Sequence, residues 1–394
     1  MSRLFFYICT VMMMSFVIVL LLIVLIPDVY ILRYFLDGQS TMLRVCYLIP
    51  TIAQLTAMGA SMNERLHSHS MRVFYTLFLC WAIPKAVFFV VSLLSTFVSF
   101  LFHYKGIAGN VVSLCVAFVV MVMFAFGYLF GWKFVMVERK VVPFATLPKA
   151  FDGYRVVHLS DFHLGTFIGH ESVIDTVVKK VNQLNPDLIV FTGDLVNTSV
   201  SELSPFTESL SRLSAKDGVI SVMGNHDYCE YKSFKSRRER LSEIEKLKTV
   251  QSMMGWKLLL NEHCFVTRGS DSIAVVGVEN AGLPPFKAYD DLKGAMKGLP
   301  EGVFTILLSH DPSHWRREVL GTTDIELMLA GHTHGMQVKL WGFSPSQWKY
   351  KEWGGLFREG SQVINVSIGI GGRVPFRLGA WPEIDLLVLR RKVD

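Results

Sequence analysis

An uncharged apolar run at residues 4–26 opens the chain, and it constrains the fold more than any other feature. A bilayer core is crossed by about 20 apolar residues in an α-helix. Within lipid the backbone must satisfy its own N–H and C=O groups, so only helices or closed barrels can span. The run is too long for a typical signal-peptide core, and no small-residue cleavage site follows it, so it reads as an uncleaved span. Residues 43–60, 73–102 and 111–130 are further apolar runs. The second is the weakest, carrying Arg44, Pro50, Gln54 and Gly59. Four spans is the most economical count, which explains a chain that is 51% hydrophobic.

With four spans, the N-terminus and everything beyond residue 131 share one side. That side holds Arg3, Arg65, Arg72, Lys133, Arg139, Lys140 and Lys149, against Arg33, Arg44 and Lys105 on the other. The positive-inside rule then places the C-terminal part in the cytosol. Lys85, beside Pro84, is a candidate functional charge, against the plainer expectation that it snorkels or borders a kink; nothing else polar recurs in the spans, so this region reads mainly as an anchor with no sign of a transport pathway. Residues 1–132 are taken as the membrane region, 133–150 as a basic linker and 151–394 as a separate folded domain.

Charge separates the two parts. Residues 1–150 hold 11 Lys/Arg against 4 Asp/Glu, and residues 151–394 hold 28 against 29. A nucleic-acid binder would carry the basic excess in its folded domain, and this one does not. The six cysteines form no CxxC pair, which argues against a disulfide framework or a thiolate zinc site and fits a reducing compartment. Asn197-Thr-Ser and Asn365-Val-Ser match the glycosylation sequon, but in a cytosolic domain they are chance tripeptides.

In the C-terminal part, residues 155–160 read as a strand. A helix follows from Ser172, with Asp175 in capping-box position and Val173, Ile174, Val177, Val178 and Val181 at helical spacing. Residues 187–192 form a second, fully apolar strand, giving a βαβ unit with a parallel pair. A helix at about 204–214, a strand at 218–223 and a charged, solvated helix at 232–248 come next. Past Gly255 the rhythm changes to short strand-like runs at 256–260, 264–267, 272–278, 304–309, 326–330, 362–367 and 384–390. The sum is an α/β domain with two sheets and outer helices.

Metal-ligand residue types cluster where these runs end. They are Asp161-Phe162-His163, Gly193-Asp194, Gly224-Asn225-His226-Asp227, Ser309-His310 and Gly331-His332-Thr333-His334. Asp161 and His163 are i and i+2, so both can face one side of a strand's mouth. Imidazole with carboxylate suits Zn, Fe and Mn. Two such ions lie about 3.5–4 Å apart only with a bridging oxygen, and Asp194, after a buried strand and a glycine, is the natural bridge. His158 has the opposite strand parity to Asp161 and reads as structural; His170, His263 and His314 read as ordinary histidines, and Cys229 as a packed thiol.

The five ordered motifs resemble the calcineurin-like metallophosphoesterase superfamily, and their union with several spans resembles its membrane-anchored subgroup. The resemblance implies a four-layer α/β/β/α sandwich. It implies one divalent metal on Asp161, His163, Asp194 and His334 and a second on Asp194, Asn225, His310 and His332, the metals being Mn, Fe or Zn. It also implies a bridging hydroxide that attacks phosphorus, His226 serving the leaving oxygen and Asp227 orienting His226. One departure is Asn197, where many relatives carry a carboxylate three residues after the Gly-Asp aspartate. The expected function is a membrane-anchored phosphoester hydrolase, with a lipid-linked phosphoester an attractive substrate. The competing reading is a catalytically silent scaffold or receptor that kept the fold.

Overall fold

The computed structural model describes residues 2–61, 67–103, 107–284 and 286–392. It divides into two units, residues 1–129 and 130–394. The first is helical: α1 (Ser2–Tyr34), α2 (Thr41–Ala60), α3 (His67–Leu77), α4 (Ile83–Phe102) and α5 (Ile107–Leu129). A π-turn at Phe78–Ala82 joins α3 to α4 just before Pro84, where a proline in the first turn breaks no hydrogen bond. Val17–Tyr34, Thr41–Ala60, Ser70–Phe102 and Ala108–Lys133 are long and apolar enough to cross a membrane, in keeping with the four runs read from sequence. Arg65 and Lys105, two of the residues behind the expected orientation, lie outside the described residues.

The expectation for Lys85 needs correcting. Its ammonium does not snorkel; Nζ donates to Asp28 Oδ1 at 2.5 Å and to Thr51 Oγ1 at 3.1 Å, and both side chains of the ion pair are about 4% exposed. The Tyr47 hydroxyl donates to the same Asp28 oxygen at 2.7 Å, and Gln54 is fully buried nearby in sequence on α2. Polar groups therefore do recur in the helical unit. They escaped the sequence reading because Pro27 looked like a stop, whereas α1 runs through it to Tyr34 and carries Asp28 inward.

The second unit runs β1 (Met136–Phe144), β2 (Arg155–Leu159), α6 (Ser172–Gln183), β3 (Leu188–Phe191), α7 (Thr207–Ser211), β4 (Val219–Ser221), α8 (Arg237–Met253), β5 (Trp256–Leu258), β6 (Glu262–Arg268), β7 (Asp271–Gly277), α9 (Leu292–Ala295), β8 (Thr305–Leu308), β9 (Leu327–Ala330), β10 (Gly355–Glu359), β11 (Gln362–Val366) and β12 (Glu383–Arg391). Two six-stranded sheets result, in the orders β1-β12-β2-β3-β4-β5 and β10-β11-β9-β8-β7-β6.

Alternation along the strands builds the layers. Val156, Leu188, Val190, Ile220 and Leu387 of the first sheet meet Ile273, Val275, Ile306, Leu308, Leu327 and Val363 of the second in one core. The opposite face of the first sheet, with Val157, Ile189 and Phe191, packs on Val173, Ile174, Val177 and Val181 of α6 and Ile244 and Leu247 of α8. Val276, Leu307, Met328 and Ile364 cover the outer face of the second sheet against Leu292, Trp315 and Val319. This is the expected mixed α/β sandwich.

Residues 136–144 are not a linker, as the charge pattern had suggested. They pair in parallel with the C-terminal strand from Met136↔Glu383 to Phe144↔Arg391. Their charges sit on a sheet edge, a usual place for them, and Lys140 is no free basic residue: its Nζ reaches Asp385 Oδ1 at 2.7 Å and Asn365 Oδ1 at 2.8 Å. Asp175 does not cap α6 either; it accepts from Ser209 Oγ and Arg212 of the neighbouring helix. β10 was missed because its exposed Gly-Leu-Phe-Arg-Glu run has little hydrophobic signal.

Candidate metal centre

Register brings the motifs to one rim. Leu159, Phe191 and Ser221 are neighbours across three parallel strands, so Asp161, Asp194 and Asn225 leave the first sheet side by side. Leu308 and Leu329 are likewise paired in the second sheet, so His310 and His332 emerge together. The two rims are sewn together: His310 Nδ1 donates to the Thr192 carbonyl at 2.7 Å, and the His332 backbone N–H donates to Asp161 Oδ2 at 3.0 Å. Gly331 makes that approach possible, because a Cβ there would sit 1.9 Å from Ser160 Oγ and 2.3 Å from Asp161 Oδ2. Gly193, at φ +97°, allows the same closeness to Gly224.

The turns carry strain. Asp161, His163, Asp194, His332 and His334 all have φ between +47° and +72°, a region that non-glycine residues occupy rarely. Such conformations cluster at functional sites, where the surrounding structure holds them. Here the holding group is Asp227, and its expected role needs correcting. Its carboxylate does not touch the His226 ring. It accepts from the backbone N–H of Asp194 and Leu195 at 2.8 Å each, of Gly224 at 2.9 Å and of Val196 at 3.3 Å. The group that fixes the ring is the carbonyl of Asn197, which accepts from His226 Nδ1 at 2.7 Å.

The seven residues form two half-sites around one oxygen. Asp194 Oδ2 lies 3.5 Å from His163 Nε2 and 3.2 Å from His310 Nε2, while its Oδ1 accepts from the His226 backbone N–H at 2.8 Å. On one side Asp161 Oδ1 stands 3.9 Å from His163 Nε2 and 3.5 Å from His334 Nε2. On the other, His332 Nδ1 stands 3.2 Å from His310 Nε2 and 3.0 Å from Asn225 Oδ1. Asn225 Nδ2 donates to the Tyr231 hydroxyl at 2.8 Å, which turns its oxygen inward.

These residues fit divalent cations. Asp161 Oδ1, both ring nitrogens of His163 and His334 Nδ1 are buried with no hydrogen-bond partner. Buried polar atoms are otherwise almost always paired. Because His310 spends its Nδ1 proton on Thr192, its Nε2 offers a lone pair toward Asp194 Oδ2 and His332 Nδ1. Acceptors that converge in this way need positive charge between them. The ionisation pattern agrees. Burial holds His332 and His334 down at about 4 and His163 well below its usual value. Burial also opposes charge on His310, but the Asp194 carboxylate overrides it and raises His310 to about 10, so this position favours positive charge. Burial and the Asp194 charge raise Asp227 to about 7.

His226 sits beside this centre with its ring stacked on Tyr231 at 4.1 Å and edge-on to His163 at 4.7 Å. Burial lowers its pKa. The sequence reading did not find Tyr231, whose hydroxyl and ring hold Asn225 and His226, nor Tyr350, whose hydroxyl lies 2.9 Å from His332 Nε2. Tyr231 lies five residues past His226 and could have been suspected; Tyr350 had no signal. A cavity of about 210 Å³ opens at Asn225, walled by Tyr231, Asn280, Phe286, Lys287 and Tyr289. His158 is structural, bonded through Nε2 to Thr192 Oγ1 and through Nδ1 to Asn365. Asn365 is fully buried between the sheets and is no glycan acceptor in the folded protein.

The calcineurin-like phosphoesterase family model matches residues 154–336, a stretch that contains every residue of this centre. The uncharacterized metallophosphoesterase YkuE of Bacillus subtilis is 31% identical over 255 residues, 62% of this chain and 82% of that protein. The transmembrane protein with metallophosphoesterase domain of Danio rerio is 30% identical over 261 residues, 64% of this chain but only 56% of its own length. UDP-2,3-diacylglucosamine pyrophosphatase LpxG of Chlamydia trachomatis is 27% identical over 297 residues, covering 61% of this chain and 86% of its own. Similarity over most of a bacterial metallophosphoesterase, together with the family match across the convergent strand ends, shows that the chain belongs to the calcineurin-like phosphoesterases.

Proposed function

We propose that the protein is a membrane-anchored phosphoester hydrolase that works with two divalent cations, Mn, Fe or Zn. The observation that carries the reading is the shared Asp194 Oδ2, within 3.5 Å of one imidazole from each half-site. Asp161, His163, Asp194 and His334 would hold one cation, and Asp194, Asn225, His310 and His332 the other. Bound there, the cations would supply Lewis acidity, lowering the pKa of an attacking water and offsetting phosphate charge. His226 donates its Nδ1 proton to the Asn197 carbonyl, which leaves the Nε2 lone pair to take a proton from the attacking water and pass it to the leaving oxygen. Asp227 holds the turn that aims Asp194. Tyr231 keeps the His226 ring in place, and Arg373 lies over the outer face of Tyr231 at 5.5 Å, lending positive charge to the rim.

The substrate class is a lipid-linked phosphoester. The four apolar helices support it, since a tether to a bilayer raises encounters with such molecules, and so does the name of the relative LpxG. In this reading the spans form a multi-pass anchor with the second unit in the cytosol. The scaffold alternative finds no support in a missing group, because every motif position is filled and converges. The deciding experiment uses the full chain in detergent, stripped of metal and reloaded with Mn, Fe or Zn, against a panel of chromogenic mono- and diesters and phospholipid headgroup esters. Hydrolysis that needs metal and vanishes in Asp194→Asn is expected. Equal turnover in the wild type and that variant would overturn the site. Protection of the C-terminus from protease in sealed vesicles tests the orientation.

A further inference from the structure

His314 was expected to be an ordinary histidine, and its surroundings are not ordinary. It is fully buried, follows the turn after His310, and places Nδ1 2.9 Å from Ser309 Oγ at the end of β8. Its Nε2 has no hydrogen-bond partner. That atom instead faces two carboxylates, with Asp290 Oδ2 at 3.7 Å and Glu318 Oε2 at 3.6 Å, both beyond hydrogen-bond length. We propose that Asp290, His314 and Glu318 form a third divalent-cation site, separate from the phosphoesterase centre.

Two arguments converge on a cation. The first is geometry. With sides of 3.6 and 3.7 Å and donors all within 4.8 Å of one another, an ion touching all three would sit roughly 2.1–2.4 Å from each. That is the bond length of zinc at the short end and of harder cations at the long end. The second is charge. Arg317 is the cation nearby, and it is divided. Its Nε donates to the other Glu318 oxygen at 2.9 Å and one amino group donates to the Ala281 carbonyl at 3.0 Å, leaving Asp290 at 3.8 Å. Two carboxylates against one guanidinium leave negative charge beside a buried nitrogen. His314 supplies the third donor atom through its unpartnered Nε2. Ser309 Oγ can accept its Nδ1 proton, which is the usual arrangement behind a metal-bound imidazole.

The position gives the ion a purpose. Glu318 lies on the π-turn Trp315–Val319 that follows His310, and Asp290 ends the loop after β7. That loop carries Phe286, whose ring stands edge-on to His332 at 4.8 Å, and the cavity walls Lys287 and Tyr289. A cation here would clip the substrate-facing loop to the strand end that bears His310. Asp, His and Glu with an open position suit zinc or manganese, and zinc binds more tightly in such a set.

The test is a metal count that does not depend on turnover. The full chain in detergent is stripped with chelator, reloaded with Zn²⁺, desalted and assayed for bound zinc per chain. Three ions are expected in the wild type and two in Asp290→Asn/Glu318→Gln. Asp194→Asn should lose ions from the other centre and keep this one. Glu318 is 42% exposed, so Glu318→Gln alone disturbs the packing least, and it should weaken binding of one zinc by at least tenfold. Equal zinc content in the wild type, Glu318→Gln and the double variant would overturn the proposal.

Discussion

Both units bury charge, and they do it in opposite ways. In the helical unit Lys85 and Asp28 neutralise each other directly, and Thr51 and Tyr47 supply further hydrogen bonds. Asp28 Oδ1 and Lys85 Nζ answer each other without a ligand, while Asp28 Oδ2 and both polar atoms of Gln54 stay buried without a hydrogen-bond partner. In the sheet unit Asp161 Oδ1, both ring nitrogens of His163 and His334 Nδ1 are buried without a partner, and His310 Nε2 lies between Asp194 Oδ2 and His332 Nδ1. A closed ion pair stabilises or specifies a packing, whereas a set of unpaired donors aimed at common points is a receptor for cations. The contrast teaches that burial of charge does not by itself mark a reaction centre; what matters is whether opposite charges already meet, as at Lys85 and Asp28, or several ligand-type atoms converge on one oxygen, as at Asp194.

The largest effect should come from the atom shared by both half-sites. Asp194→Asn is expected to abolish hydrolysis and release the two cations together, read by turnover and metal content; loss of one cation with the other retained at wild-type affinity would break the bridging description. His226→Ala should cost roughly 10²–10⁴ in kcat with metal content unchanged, and an equal loss of metal would make His226 a ligand instead.

The helical unit should answer differently. Lys85→Met leaves Asp28 buried and unpaired, and a loss of about 3–5 kcal/mol is expected. The double variant Lys85→Met/Asp28→Leu should recover most of it. Thermal unfolding in detergent reads this, and a double variant as unstable as the single would show that the pair is more than a closed one.

The last test concerns acid stability, and its effect is confined to acid pH. Burial, with Lys140 adding to it, lowers the His158 pKa from 6.5 to about 3. The unfolded chain therefore binds an extra proton between these values. Stability is fully present above pH 6.5 and falls with acidification, by up to about 1.4 kcal/mol per pH unit until about pH 3. His158→Gln should flatten that slope in unfolding curves taken at several pH values; an unchanged slope would mean that His158 does not titrate differently on folding.

Much of this was legible in the residues. Hydropathy located four long helices because a helix apolar on every side cannot hide its composition. Unbroken apolar runs located β2, β3, β8 and β9 because strands covered on both faces have no polar side. The ligand types after those runs named the centre. Elements that failed to announce themselves have edges in water: β1 carries charge on a sheet edge and β10 is mostly exposed. A catalytic fragment cut at residue 140 would therefore divide a strand of the first sheet.

The sequence by itself determined the kinds of element and the inventory of donors, since these follow from local periodicity and side-chain chemistry. Only the tertiary structure decided which donor faces which. Asp28 finding Lys85 across 57 positions, Asp227 serving backbone amides instead of His226, and His314 turning a free nitrogen on Asp290 and Glu318 all depend on strand register and helix packing. Those long-range contacts are set by the whole core, and no short stretch of residues encodes them.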